Sequence, residues 1–210
     1  MTARTVEIPV DAVRLDGELR IPDAATGLVV FAHGSGSSRH SPRNTAVASV
    51  LRDHGVGTLL FDLLTAEEDE TYETRFDIDL LTERLLGVTD WLRERPETAR
   101  MNLGYFGSST GAAAALRAAA ERGDDVGAVV SRGGRVDLAS DHLPRVTAAT
   151  LFIVGGADTD VLALNRDAYE RLTCAKGLEV VDGAGHLFEG PGELERVADL
   201  AADWFATRLA

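Results

Sequence analysis

Residues 103–115 read LGYFGSSTGAAAA, and the five in the middle, Gly107-Ser108-Ser109-Thr110-Gly111, decide what the chain folds into. Residues 101–106 (MNLGYF) have the short apolar character of a buried strand, and residues 111–121 (GAAAALRAAAE) are strongly helix-forming. A G-x-S-x-G pentapeptide between a strand and a helix is a nucleophile elbow, with Ser109 as its central serine. The glycines on either side let the chain turn tightly without a Cβ clash. The same residues also suit a plain strand-to-helix turn with small side chains for packing, so the surrounding sequence has to decide.

Strand and helix patterns alternate on both sides of the pentapeptide. Residues 5–10 and 13–21 suit an antiparallel pair of strands. The continuous apolar run GLVVFA (27–32) leads through a polar loop into a helical stretch at 44–54, and GTLLF (57–61) is another strand. Leu81, Leu85, Val88 and Leu92 fall at helical spacing. Beyond the Ala-rich helix, VGAVV (126–130), TLFIV (150–154) and residues 178–181 read as strands, 161–172 as a helix, and 194–209 as a closing amphipathic helix. Strands that are apolar throughout and alternate with helices predict an α/β fold with a mostly parallel sheet covered on both faces. Ligands of such sheets bind at the carboxyl ends of the strands. Only about twenty residues separate the strands near Val130 and Leu151, too few for a large lid domain.

The totals fit one domain over residues 1–210, since 45% hydrophobic content supports a sizeable core. Cys174 is the single cysteine, which permits no internal disulfide, suits a reducing compartment and offers no Cys cluster for a metal. It lies in RLTCAKG near a helix end and reads as a packing residue. The first residues, MTARTVEIPVD, have no apolar core of a signal peptide, and no run is long enough to cross a membrane, so a cytoplasmic protein is expected. A formal net charge of −13 disfavours nucleic acid and anionic membrane surfaces as partners. The acidic run EEDETYE (67–73) reads as a solvated loop.

A serine hydroxyl needs a base to take its proton, and the base needs a third group to orient it. Behind an elbow the partners follow in the order Ser, then Asp or Glu, then His. His33, His40 and His54 precede the elbow, and His142 precedes the loop expected to carry the acid. His186 remains, in VVDGAGHLFEG just past the last strand. The acid is expected after TLFIV, where Gly155-Gly156-Ala157-Asp158-Thr159-Asp160 follows. Asp158 is the choice, because flexible glycines precede it; Asp160 is the rival, and Asp137 a third candidate. Either Asp158 or Asp160 also suits a helix N-cap, and Asp160 is the better placed for that. Donors for an oxyanion are expected from the Thr110 N–H at the helix start and from the loop His33-Gly34-Ser35-Gly36, with Ser35 preferred over Gly34 and Gly36. Gly34-Ser35-Gly36 also begins like G-x-G-x-x-G, but Arg39 stands at the third glycine position and no GK[ST] occurs, so nucleotide binding is set aside.

In this order, FAHGSGSS, GYFGSSTGAAAAL, VVSRGGR, LFIVGGADTDV and GAGHLFEG resemble an α/β-hydrolase, nearest to the dienelactone hydrolase-like branch. The chain is similar in particular to compact hydrolase units found fused to phosphoribosyltransferase domains, although no such domain is read in these residues. The resemblance implies a serine hydrolase without cofactor or metal that cleaves a small ester, thioester or lactone. Dienelactone hydrolases proper use a cysteine nucleophile where this elbow has Ser109, so lactone specificity does not carry over. The other readings to weigh are an acyltransferase or perhydrolase using the same triad, and a non-catalytic hydrolase-fold binding module. Arg39 and Arg43, beside the oxyanion loop, and Arg132 and Arg135, after VGAVV, are placed to clamp a carboxylate or phosphate, Arg132 most closely. The competing role for all four is a surface ion pair with the many carboxylates.

Overall fold

A computed structural model describes residues 2–210. Two long strands, β1 (Thr2–Val10) and β2 (Val13–Ile21), form an antiparallel hairpin that joins the sheet through β2. The remaining strands are β3 (Gly27–Ala32), β4 (Gly57–Phe61), β5 (Asn102–Ser108), β6 (Val126–Arg132), β7 (Ala149–Gly155) and β8 (Lys176–Val181). They complete one eight-stranded sheet in the order β1-β2-β4-β3-β5-β6-β7-β8, with β4, β3 and β5 to β8 all parallel. Each strand forecast from the apolar runs is present, and most extend one to three residues beyond the run.

The helices are α1 (Pro42–Asp53), α2 (Ala66–Asp69), α3 (Ile78–Arg93), α4 (Thr110–Arg122), α5 (Thr159–Arg171) and α6 (Glu193–Arg208). Alternation along a single strand shows how they cover the sheet. In β3, Leu28, Val30 and Ala32 pack with apolar residues of α3 and α4, whereas Val29 and Phe31 pack with α1 and α6. A strand with a core on each side has no solvent face, which is why its sequence carries no polar alternation. The connection from β6 to β7 holds only two 3-10 turns, Val136–Ala139 and Leu143–Arg145, and no large lid covers the sheet's carboxyl edge.

The acidic run departs from the sequence-based expectation. Residues 66–69 form the short helix α2 rather than an unstructured loop, opened by a capping box. The Glu68 N–H donates to Thr65 Oγ1 at 3.2 Å, and the Thr65 N–H donates to the Glu68 carboxylate at 2.9 Å. Glu68 also pairs with the buried Arg84 at 2.7 Å, and these donors hold its carboxyl below the usual range despite the opposing effect of burial. Cys174 is partly buried against the core, as a packing residue would be.

Candidate active site

The pentapeptide forms the turn between β5 and α4. Ser109 sits there at φ 50° and ψ −118°, a conformation L-residues avoid unless the surroundings impose it. Three backbone bonds impose it. The Ser109 N–H donates to the Arg132 carbonyl at 3.2 Å, and the Ser109 carbonyl accepts from the N–H groups of Ala112 at 3.1 Å and Arg135 at 3.0 Å. The glycines serve close approach rather than flexibility. A Cβ on Gly107 would lie 2.4 Å from the Ala112 Cα, and one on Gly111 would lie 2.2 Å from the Ala32 carbonyl oxygen. Serine is among the favoured N-cap residues, yet Ser109 stands at the N-cap of α4 with no side-chain capping bond. The Ser41 side chain, at the start of α1, does accept from the Asn44 N–H.

Asp158 repeats this pattern. It occupies the N-cap of α5 and leaves the helix N–H groups uncapped, while its Oδ2 lies 2.7 Å from His186 Nδ1. The expected division of labour is thereby corrected in one respect. Asp160 lies in the first turn of α5 and does not cap it; the N-cap position belongs to Asp158 itself. Asp137 is engaged elsewhere, bonded by Arg135 Nε at 2.9 Å and Nη2 at 2.8 Å, and this pairing lowers its pKa. The loops carrying the acid and the imidazole are joined through their backbones. The Gly156 N–H donates to the Val181 carbonyl at 2.8 Å, and the Ala157 N–H donates to the Ala184 carbonyl at 2.9 Å. The joining needs a glycine at 155, where a Cβ would stand 2.3 Å from the Ala184 oxygen. Gly155 thus works through close packing, whereas a Cβ on Gly156 would meet its neighbours at an ordinary 3.4 Å. With Nδ1–H donated to Asp158, Nε2 of His186 is left with its lone pair, and among the described residues it makes no hydrogen bond to Ser109 Oγ: the structure joins the acid to the imidazole but not the imidazole to the serine. The imidazole rests over Gly133, whose Cα would carry a Cβ at 3.4 Å from the ring, directly after the residue that anchors Ser109.

The loop after β3 approaches the elbow from the other side. A Cβ on Gly34 would lie 3.2 Å from the Ser109 Cβ. The Ser35 N–H, expected as the second oxyanion donor, is engaged instead: it donates to the Thr110 side chain, Oγ1, at 2.9 Å, and so braces the loop against the start of α4. His33, set aside as a base because it precedes the elbow, holds this loop in place. Its Nδ1–H donates to the Gly34 carbonyl at 2.9 Å, and its Nε2 accepts the Leu63 N–H at 3.0 Å. Burial lowers its pKa and keeps the ring neutral, as both bonds require. The signal for this role lay in a histidine directly after a fully apolar strand, where it had to be buried.

The four arginines separate clearly. Arg39, expected as a substrate clamp, is held by Asp62, which accepts its N–H at 2.7 Å and also pairs with its guanidinium; Asp16 stands 3.5 Å from it. Those carboxylates neutralise its charge, and it lines a cavity of 330 Å³ with His33, Asp62 and Asp69 that neither Ser109 nor His186 lines. Arg135 is committed to Asp137. Arg43 lies 3.8 Å from the exposed Glu189. Arg132 is buried and pairs with no carboxylate among the described residues. No group of three or more metal-ligating side chains occurs among the described residues, and no helix is long and apolar enough to cross a membrane.

An elbow serine after β5 of a mostly parallel sheet, with an Asp–His pair on the loops after β7 and β8, defines the class: this is an α/β-hydrolase fold. No family model matches the chain. A crystal structure of a dienelactone hydrolase from Anabaena variabilis is 55% identical, with a TM-score of 0.98 over 100% of this chain and 99% of that one. Est1E from Butyrivibrio proteoclasticus superposes with a TM-score of 0.82 at 16% identity, covering 97% of this chain and 98% of its own, and so shares the fold. Two Mycobacterium tuberculosis proteins named "Putative phosphoribosyl transferase" are 55% identical over 204 residues; the match covers 97% of this chain and 46% of theirs. The chain thus spans about half the length of these curated relatives. It belongs to the dienelactone hydrolase family.

Proposed function

We propose that the protein is a serine hydrolase that cleaves a carboxylic ester, thioester or lactone through an acyl-enzyme. The observation that carries this reading is the His186 Nδ1–Asp158 Oδ2 bond of 2.7 Å, made by an aspartate that forgoes capping its own helix. Ser109 Oγ attacks the substrate carbonyl while His186 Nε2 takes the hydroxyl proton, and Asp158 holds the imidazole in the tautomer that leaves Nε2 free. The tetrahedral oxyanion is met by the Thr110 N–H at the positive end of α4. Collapse expels the alcohol, thiol or ring oxygen, which takes its proton from His186. Water then attacks the acyl-Ser109 carbonyl, giving one proton to His186, which returns it to Ser109 Oγ as the carboxylic acid leaves. Each catalytic side chain sits on a loop at the carboxyl end of a strand, where the open edge admits a small substrate.

Hydrolysis of para-nitrophenyl esters tests the proposal. Native protein should turn them over, and Ser109→Ala or His186→Ala should lose about 10³-fold or more in kcat. Turnover that survives Ser109→Ala undiminished would end the proposal.

A further inference from the structure

Arg132 is the last residue of β6, and its backbone is already part of the site: its carbonyl accepts the Ser109 N–H, and Gly133 beside it carries the His186 ring. The residue is only 8% exposed. Arg84, buried to a similar degree, is neutralised by Glu68. Arg132 has no such partner, although the chain carries 34 carboxylates, and its Nε and Nη1 are both buried without a hydrogen-bond acceptor. Its aromatic neighbour is Phe188, two residues past His186, with the ring centroid 5.9 Å from the guanidinium carbon. Burial, and then the positive charge of Arg43, push the Arg132 pKa down to about 10; the carboxylate nearest Arg43 is that of the exposed Glu189, a weak pairing at 3.8 Å.

The position of Arg43 has a structural cause. It lies in the first turn of α1, and the next residue, Asn44, accepts a hydrogen bond from Ser108 Oγ at 3.1 Å. Ser108 is the register partner of Arg132. The amino-terminal turn of a twelve-residue helix, which adds partial positive charge, is thereby fixed over the strand ends that carry Arg132 and the nucleophile. A buried cation without a counter-charge is among the costliest arrangements in a folded chain. A second guanidinium and a helix amino-terminus deepen that cost unless an anion is bound.

We propose that Arg132 and Arg43 form an anion subsite beside Ser109, and that the substrate is an ester carrying a phosphoryl group on its acyl or leaving portion. The inference rests on the hydrolase reading above and names the substrate class of the same site. A phosphoryl dianion neutralises both guanidinium groups, whereas a carboxylate neutralises one, and its several oxygens match the two unsatisfied nitrogens of Arg132.

The test compares para-nitrophenyl esters of phosphonopentanoate, adipate and hexanoate on the native protein, Arg132→Met and Arg43→Gln. The native kcat/KM should favour the phosphonate over the neutral hexanoate by about tenfold or more, with adipate between. The ratio should collapse towards unity in Arg132→Met and fall in Arg43→Gln; because both substrates are measured on one variant, loss of folded protein cancels. Calorimetric titration with inorganic phosphate reads the subsite without turnover, with binding expected in the native protein and weakened in both variants. A native ratio near unity, a ratio unchanged by both variants, adipate ahead of the phosphonate, or no phosphate binding would each overturn the proposal. If Ser109 is not the nucleophile, no ester is cleaved, while the phosphate titration still reports on Arg132.

Discussion

Ser109 and Asp158 belong to residue types that helices use to satisfy their first N–H groups, and both stand at N-caps without doing so. Each side chain is thereby left for chemistry at a cost in local stability. Asp158→Asn should lower kcat by about 10³-fold or more, because an amide no longer fixes the imidazole tautomer that leaves Nε2 free; pre-steady-state ester turnover measures it. In the proposed mechanism the Thr110 N–H meets the oxyanion, and its hydroxyl accepts the Ser35 N–H and so steadies the same corner. Thr110→Val should cost about tenfold in kcat with little change in KM, and Thr110→Ser should restore most of it, since the serine keeps the hydroxyl. His33 sets a pH dependence of stability. Its folded pKa lies below the ordinary value of 6.5, so the unfolded chain binds the proton more readily. The stabilisation is present above about pH 6.5 and is lost as the pH falls towards the folded pKa. Urea midpoints at pH 7 and pH 5 should therefore differ more for the native protein than for His33→Gln.

The pentapeptide is legible as an element because its flanks are unambiguous, a strand of large apolar residues followed by an Ala-rich helix. What the glycines do is visible only once neighbouring strands are placed. Gly111 lies against the end of β3, roughly eighty residues earlier in the chain. Gly111→Ala should destabilise the protein by about 1–3 kcal/mol, as overpacking against a fixed backbone does, and equilibrium urea unfolding checks this. The acidic stretch was misjudged because charge masked a local signal. Thr65-x-x-Glu68 is a capping box in plain sequence, and its glutamate also meets Arg84 on α3, a pairing that no window of sequence contains. Thr65→Ala should cost about 1 kcal/mol in the same unfolding experiment. The N-cap of α5 was likewise misassigned by two residues, since the choice between Asp158 and Asp160 depends on where His186 lies and not on helix propensity.

On the scale of the molecule, chain order names candidates before any distance is known. The pentapeptide named Ser109, and the order Ser, Asp, His then named His186 among five histidines; the parallel strands carry Ser109, Asp158 and His186 to one edge, where the structure joins His186 to Asp158. The arginines were not separable in this way. Arg39, Arg43, Arg132 and Arg135 look alike in sequence, and only the fold shows that Asp62, Asp16 and Asp137 neutralise two of them and leave Arg132 buried without a carboxylate. The central claim is that an Asp–His pair makes Ser109 nucleophilic. Its most direct measurement is intact and peptide mass spectrometry after exposure to a fluorophosphonate probe. The native protein should gain one adduct, mapped to Ser109, and Ser109→Ala should gain none; a native protein that stays unlabelled, or a variant labelled as fully as the native, would contradict it.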